Sequence, residues 1–495
     1  MTAAAHHPHV HTAVIGGGYS GIGIAIRLKQ SGTDDFVILE KAPRLGGAWR
    51  DNTYPGAACD VPGHLYAFSF APNAAWRTTL PTQPEVLAYL EHCATRFALR
   101  PHLRLNCELT SARWHPDQGR WRLGTTRGTY TASVLVVATG LLSTPHVPEL
   151  PGLDTFQGPA FHTARWDHEA DLTGKRVAVI GTGASAVQCI PHLQRRAAHL
   201  DVYQRTAPWV LPRLRRRTTA LERAALRHVP GLPRLLRHTA YWGRELWTLA
   251  FLRGHPWARV AAAAAAHLHR LLHLRATALR GPTRPSYRVG CKRILLASDY
   301  YPALRQPNVD VVAQGVEKIG PRTITTADGS RRPADVIVFA TGFRVFDPPI
   351  SHRVTGTEGR TLAEHWAEGM AALNNVTVPG FPNLFLLLGP NSAVGHSSQV
   401  LILEAQLDYV LACLGHLERT GAQAIEATRE AWHTYRRKLR DHTSGSAWAT
   451  GCDSWYLDPR TGRNTALWPR PVFAYRSLLR AFRPQDHTLT GRRAP

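Results

Sequence analysis

The 495-residue sequence predicts an α/β protein with two Rossmann-like dinucleotide-binding units, the second interrupted by a helical insertion. Three observations carry that expectation. Two segments read strand, glycine turn, helix, strand: HTAVIGGGYSGIGIAIRLKQSGTDDFVILEK from His11, and GKRVAVIGTGASAVQCIPHL from Gly174, which leads into LDVYQRT. Two further runs, SVLVVATG (133–140) and ADVIVFATGF (334–343), are continuously apolar and end in Ala-Thr-Gly, the pattern of buried parallel strands. Residues 213–284 have a different character, being arginine-rich with only Glu222 and Glu245 as acids, and they fit helices.

In the first unit an apolar strand runs into Gly16-x-Gly18-x-x-Gly21. The first glycine permits a tight turn, the second lets backbone approach a pyrophosphate, and the third lets helix and strand pack closely. The helix N-terminus then offers unpaired N–H groups to phosphate. Glu40 closes the second strand about 20 residues on, where a carboxylate hydrogen-bonds a ribose 2′-OH and repels a 2′-phosphate. The site therefore suits FAD or NAD. The second unit repeats the logic with Gly181, Gly183 and Ala186, but Arg205 and Thr206 stand at its strand end. A cation and a hydroxyl there suit the 2′-phosphate of NADP(H). Late in the chain, NLFLLLGPNSAVGHSSQVLILEAQLDYV predicts a strand, a glycine loop and a helix returning to the first unit. The expected organisation is 1–150 and 381–495 for the first domain, 151–213 and 285–380 for the second, and 214–284 for the insertion.

Composition is that of a globular protein, with 44% hydrophobic and 19% charged residues. No leader precedes the first strand, and no uninterrupted apolar run approaches a membrane span. Seven scattered cysteines without a C-x-x-C pair read as reduced thiols of a cytoplasmic protein, with no metal site. The net charge of +24 is unusual. Arginine vastly outnumbers lysine, and the basic insertion reads as a solvated helical face with no nucleic acid expected and weak binding to an anionic surface possible. The His-rich start reads as a frayed terminus.

Three further stretches carry a resemblance. Phe156, Gly158, His162, Trp166 and Asp167 in FQGPAFHTARWD lie between the two glycine units; GGAWRDNTYPGAACD (46–60) carries Trp49 and Asp60; GCKRILLASDYYPAL (290–304) carries Lys292 and Arg293. Together they resemble the type I Baeyer–Villiger monooxygenases, class B flavin-dependent enzymes. No redox cysteine pair of the disulfide-reductase kind is present, and Trp166-Asp167 departs from the aromatic-Lys/Arg ending of the heteroatom-oxidising relatives.

The resemblance implies FAD in the first unit and NADPH in the second. It implies a helix N-terminus near the flavin and insertion of one oxygen of O2 into a ketone, through a flavin C4a-peroxide, to give an ester or lactone. It further implies that Arg293, paired with Asp60, is the fixed cation for the oxygen anion. Lys292 would join Arg205 and Thr206 at the 2′-phosphate. The 156–167 stretch would be a connector coupling the two domains, with His162 anchored to backbone and Trp166 near the nicotinamide nucleotide. Trp455, in CDSWYLDP, resembles an active-site tryptophan. Competing readings are sulfide or amine oxygenation by the same site, and a non-catalytic flavoprotein docked on an anionic surface.

Overall fold

The computed structural model of the chain describes residues 8–248, 256–274, 278–444, 446–448 and 454–492. In chain order its principal elements are β1 (His9–Ile15), α1 (Tyr19–Gln30), β2 (Phe36–Leu39), β3 (Leu103–Arg104), β4 (Leu109–His115), β5 (Arg120–Thr125) and β6 (Gly128–Val137). Next come β7 (Ala160–His162), β8 (Arg176–Ile180), α2 (Ala184–Gln194) and β9 (His199–Tyr203). The insertion follows as α3 (Ala220–His228), α4 (Leu232–Thr248) and α5 (Pro256–Leu274). The chain then supplies β10 (Val309–Val312), β11 (Val336–Phe339), β12 (Val354–Thr355), β13 (Leu384–Leu386), α6 (Gln399–Thr420) and α7 (Val472–Arg480).

Two sheets organise these elements. The first has the order β12-β4-β5-β6-β1-β2-β3, with β13 also paired to β6; the second is β10-β9-β8-β11-β7. The core strands alternate sides and are buried on both. In β1, Val14 packs with α1 and α6 residues such as Ile22 and Leu407, while Ala13 and Ile15 face a second cluster with Trp121 and Phe381. In β8, Val177 and Val179 face one core and Ala178 and Ile180 the other. Burial on both faces is why these strands read as unbroken apolar runs.

Register places the chemistry. Ile15 pairs with Leu39 and Val137, so Gly16, Glu40 and Ala138 emerge at one sheet end. Ile180 likewise pairs with Tyr203 and Phe339, bringing out Gly181, Gln204 and Ala340. The two units close in the same way at their turns. A Cβ on Gly16 would lie 2.7 Å from the Ala138 carbonyl, and one on Gly181 would lie 2.5 Å from that of Ala340. The Ala-Thr-Gly strand ends are thus the surfaces against which each glycine turn closes.

Several expectations change. The chain rejoins the first sheet at Val354–Thr355, ahead of residue 381. His9 and His11 belong to β1 rather than to a frayed end, because the strand pairs from His9 with Thr131; residues 1–7 lie outside the described residues. Cys59, Cys93, Cys107, Cys189 and Cys413 are free and buried. Cys291 is disulfide-bonded, against the expectation of reduced thiols, since sequence spacing does not show which cysteines folding brings together; Cys452 lies outside the described residues.

One helix among the described residues, α6, is long and apolar enough to cross a membrane, but 61% of its most apolar window is buried within the protein. Leu401, Ile402, Leu403, Leu407, Val410 and Leu417 are each at most 2% exposed. At roughly 1.5–3 kcal/mol per fully buried aliphatic side chain, their gross contribution is on the order of 10 kcal/mol. That makes α6 a core helix.

Gly21 tests the close approach of α1 to its turn, since a Cβ there would lie 1.9 Å from the Gly16 carbonyl oxygen. Gly21→Ala is expected to cost about 1–3 kcal/mol, seen as a lower midpoint in thermal unfolding. Gly281→Ala, where a Cβ meets nothing within 4 Å, should leave that midpoint within a degree or so of wild type. Equal midpoints for the two variants would show that the turn adapts.

Candidate active site

The ends of both sheets open into one cavity of about 1160 Å³. A site for one drug-sized ligand spans roughly 300–1,000 Å³, so this space exceeds the usual allowance for a single ligand. Gly16, Gly18, Glu40, Trp49 and Asp60 line it from the first unit; Gly181, Gly183, Arg205, Thr206, Lys292 and Arg293 line it from the second. Trp455 also lines it, 40% exposed and edge-on to Tyr456 at 4.6 Å. Gly21 and Ala186 sit beneath the surface, where they set packing rather than contact.

Both glycine turns leave a helix N-terminus open. Neither α1, capped by Gly18, nor α2, capped by Gly183, has a side-chain cap or an acid in its first turn. The start of α6 also lines the space with Ser397, Gln399 and Val400, but it is capped, Ser398 Oγ accepting from Val400 N–H at 3.2 Å. Uncapped N–H groups at such termini attract anions. Gly18 and Gly47 close on one another, a Cβ on Gly47 meeting the Gly18 Cα at 3.0 Å, so only backbone forms that cradle. These features fit two pyrophosphates, one per unit. Glu40 is buried and accepts from Gly17 N–H at 2.7 Å and from the Arg50 guanidinium at 3.0 Å. Its carboxylate is therefore fixed beside the first cradle. Arg205 is exposed at the corresponding strand end of the second unit.

Where the units meet, Asp60 and Arg293 form an ion pair. Arg293 donates through Nε at 3.0 Å and Nη2 at 2.6 Å to Asp60 Oδ2, and each side chain keeps about a quarter of its surface open to the cavity (29% and 26%). Burial pushes the Asp60 carboxyl up, but the Arg293 charge and its hydrogen bonds outweigh that and hold it below the ordinary carboxylate value. The Asp60 charge in turn raises Arg293 against its own desolvation, so the guanidinium stays protonated.

Sequence reasoning missed the groups that hold this loop. Arg244, from α4 in the insertion, donates to the Asp60 carbonyl at 2.9 Å, and Arg213 donates to the Cys59 carbonyl at 2.8 Å. Gln188 of α2 bridges the same loop, accepting from Tyr54 Oη at 2.9 Å and donating to the Ala58 carbonyl at 3.0 Å. No sequence signal marks these three, because each partner is more than 100 residues away.

The 156–167 stretch forms an edge of the second sheet, where β7 pairs with β11 and His162 lies opposite Phe339, and its residues 163–165 meet Ala48–Asp51 of the first unit. Gly158 lets it approach, since a Cβ there would lie 2.0 Å from the Asp335 carbonyl. His162 Nδ1 accepts from Ala164 N–H at 3.0 Å and its ring stands edge-on to Phe343, which lines the cavity. Burial pushes its pKa down to about 4, so it is neutral at pH 7. Phe156 packs against a buried core cluster, Trp166 stacks edge-on with Phe161 at 5.0 Å, and Asp167 accepts from Glu169 N–H. None of the five lines the cavity; their neighbour Arg165 does.

Comparison with known proteins agrees with this geometry. A family model described as pyridine nucleotide-disulphide oxidoreductase matches residues 13–218. A Baeyer-Villiger monooxygenase of Streptomyces coelicolor is 48% identical over 472 residues, 95% of this chain and 91% of that one. One of Pseudomonas aeruginosa is 42% identical over 491 residues, 99% and 92% of the two chains. Among solved structures, cyclohexanone monooxygenase from Rhodococcus sp. Phi1 bound to NADP+ superposes with a TM-score of 0.87 at 29% identity, covering 98% of this chain and 100% of that one. The OTEMO complex with FAD and NADP (form 3) gives 0.89 at 25% identity with the same coverage.

The depressed Asp60 carboxyl sets a pH dependence. A group whose folded pKa is lowered contributes stability that is fully present above its unfolded value, about 4, and lost as pH falls through the folded value. Asp60→Asn should therefore cost about 2 kcal/mol at pH 7, and the gap to wild type should narrow as pH falls below about 4. Denaturant titrations at both pH values check this. A gap that persists at low pH would assign the loss to packing.

Proposed function

Since the chain belongs to the Baeyer–Villiger monooxygenases, 48% and 42% identical to two of them over nearly its whole length, we propose that its ketone oxygenation is carried by the Asp60–Arg293 pair. The protein is an FAD- and NADPH-dependent monooxygenase that inserts one oxygen atom of O2 into a ketone. When bound, the flavin takes hydride from NADPH and activates O2; the chain supplies position and charge.

In this reading Gly16, Gly18 and the α1 N-terminus hold the FAD pyrophosphate, and Glu40, already fixed by Gly17 and Arg50, faces the adenosine ribose. Trp49, held by the Tyr66 hydroxyl at 3.0 Å, walls the flavin side. Gly181, Gly183 and the α2 N-terminus receive the NADPH pyrophosphate, with Arg205, Thr206 and Lys292 around the 2′-phosphate. The 1–150 segment and the chain from Val354 onward are assigned to FAD, 151–213 and the part between residue 285 and Val354 to NADPH, and 214–284 to the insertion. Phe156, Gly158, His162, Trp166 and Asp167 position the nicotinamide domain through the second sheet, and Trp455 shapes the substrate side.

Arg293 is the fixed cation for the negative charge that develops on oxygen as it is transferred to the carbonyl. The observation that carries this is its orientation. Asp60 binds Nε and Nη2 from one side, while Nη1 reaches towards the Val394 carbonyl at 3.4 Å, beside the start of α6. An aimed, permanently protonated donor in a recessed site stabilises an oxyanion more than a mobile solvated one does. Sulfides are a further substrate class for the same site, and a cytoplasmic location belongs to the same proposal.

The direct test supplies a ketone, NADPH and isotopically labelled O2 and expects ester with one labelled oxygen per NADPH oxidised. Unlabelled or absent ester would remove the proposal. Arg293→Ala should still allow anaerobic flavin bleaching by NADPH while ester formation falls by about 10²–10³, with hydrogen peroxide released instead. Normal ester yield from that variant would assign the cation elsewhere.

Arg205 generates the second expectation. Removing one charge-assisted contact costs roughly 1.5–3 kcal/mol, or about 10–150-fold. Arg205→Ala should raise KM for NADPH by that factor and leave KM for NADH almost unchanged. An equal rise for both cofactors would remove the 2′-phosphate assignment.

A further inference from the structure

Helix α4 turns several charged side chains inward beside the buried Tyr241 and leaves large apolar ones outside. Its inward positions carry charge: Arg237 donates to the His64 and Ala67 carbonyls and to Glu404, Arg244 holds Asp60, and Glu245 accepts from Val472 N–H. Its outward positions carry Leu235, Trp242 and Leu246, 59%, 46% and 67% exposed. At 3.6 residues per turn these three fall within an arc of roughly 40°. Phe473 of α7, itself half exposed, lies against Trp242 and extends the patch.

Helix α5 repeats the arrangement over four turns. Trp257, Val260, Leu268 and Leu272 are 65%, 66%, 58% and 54% exposed. The remaining exposed positions from 257 to 274, namely 261, 264 and 265, are all alanine. The exposed face of α5 is therefore wholly apolar across an arc of roughly 140°. Of the thirteen large apolar residues exposed among the described residues, ten lie between Leu214 and Leu272. A solvated basic face, as the sequence suggested, does not expose apolar residues in this way.

The charge of the segment selects the occupant. Residues 213–284 hold fifteen arginines and two acids; Arg215, Arg217, Arg227, Arg234, Arg280 and Arg284 are exposed, whereas Arg213, Arg237, Arg244 and Arg270 are turned into the protein. Both acids are engaged: Glu222 pairs with Arg216, and Glu245 is buried on the inner face of α4. A second copy of this face would bring like charges together with no acid left to offset them. Nucleic acid would satisfy the arginines but leave the leucine and tryptophan stripes uncovered. An anionic bilayer surface satisfies both, taking apolar side chains among its acyl chains and arginines among its headgroups. We propose that the outward faces of α4 and α5 form a docking surface for an anionic lipid bilayer.

The test uses full-length, FAD-loaded enzyme sedimented with phosphatidylcholine vesicles, with and without phosphatidylglycerol. Binding should require the anionic lipid and weaken as salt is raised. Trp257→Ser with Leu268→Ser, and separately Arg227→Ala with Arg234→Ala, should each lower vesicle affinity by about tenfold or more. Ester formation from a water-soluble ketone should be unchanged in both. If the serine variant misfolds, the arginine variant and the salt titration still decide. Equal binding to neutral and anionic vesicles would overturn the proposal, as would no vesicle binding. So would a dimer in sedimentation equilibrium that the serine variant dissolves, which would make the surface a subunit interface, or binding to duplex DNA alone.

Discussion

The bond between Asp60 and Arg293 is the contact on which the rest of the site turns. It joins a loop of the first glycine unit to a segment of the second across 233 residues of sequence. Neither charge is stable there alone, because a recessed carboxylate or guanidinium without its partner carries the full cost of desolvation. Paired, each holds the other ionised, and the guanidinium keeps a donor directed away from the carboxylate. Arg213 and Arg244 hold the same loop by its backbone rather than by its charge. They leave the Asp60 carboxylate free to orient Arg293.

The glycine turns were legible because their constraint is local. A positive φ at Gly16 and at Gly181, followed by a helix with no side-chain cap, is written in consecutive residues. The strands were legible for a related reason, since burial on both faces leaves a continuous apolar run. Glu40 and Arg205 stood out because the end of the second strand falls at a fixed distance from the turn. What stayed hidden is the contact made across the fold. Gln188 reads as one more residue on the helix of the second unit, yet it holds Ala58 from 130 positions away. Arg244 reads as one more arginine in a basic run.

The 156–167 stretch has a part in the fold that local reading did not give. Two aromatics and a histidine between two nucleotide units suggest a hinge that touches ligand. The structure puts the segment in register beside β11, where His162 is buried and neutral and Gly158 yields to a carbonyl. Direct contact between the units is also made by the loop Tyr54–Asp60 against α2 and Arg293. Side-chain hydrogen bonds thus tie this loop to the second unit, while the aromatic stretch fixes the sheet edge.

A double-mutant cycle for ketone oxygenation tests most directly whether Asp60 and Arg293 act as one unit. Wild type, Asp60→Asn, Arg293→Ala and the double variant would be compared by kcat/KM for ester formation. If Asp60 works only by holding Arg293, the double variant loses no more than Arg293→Ala alone, with a coupling of about 1–3 kcal/mol. Losses that simply add would contradict the account, because the two residues would then serve the reaction independently.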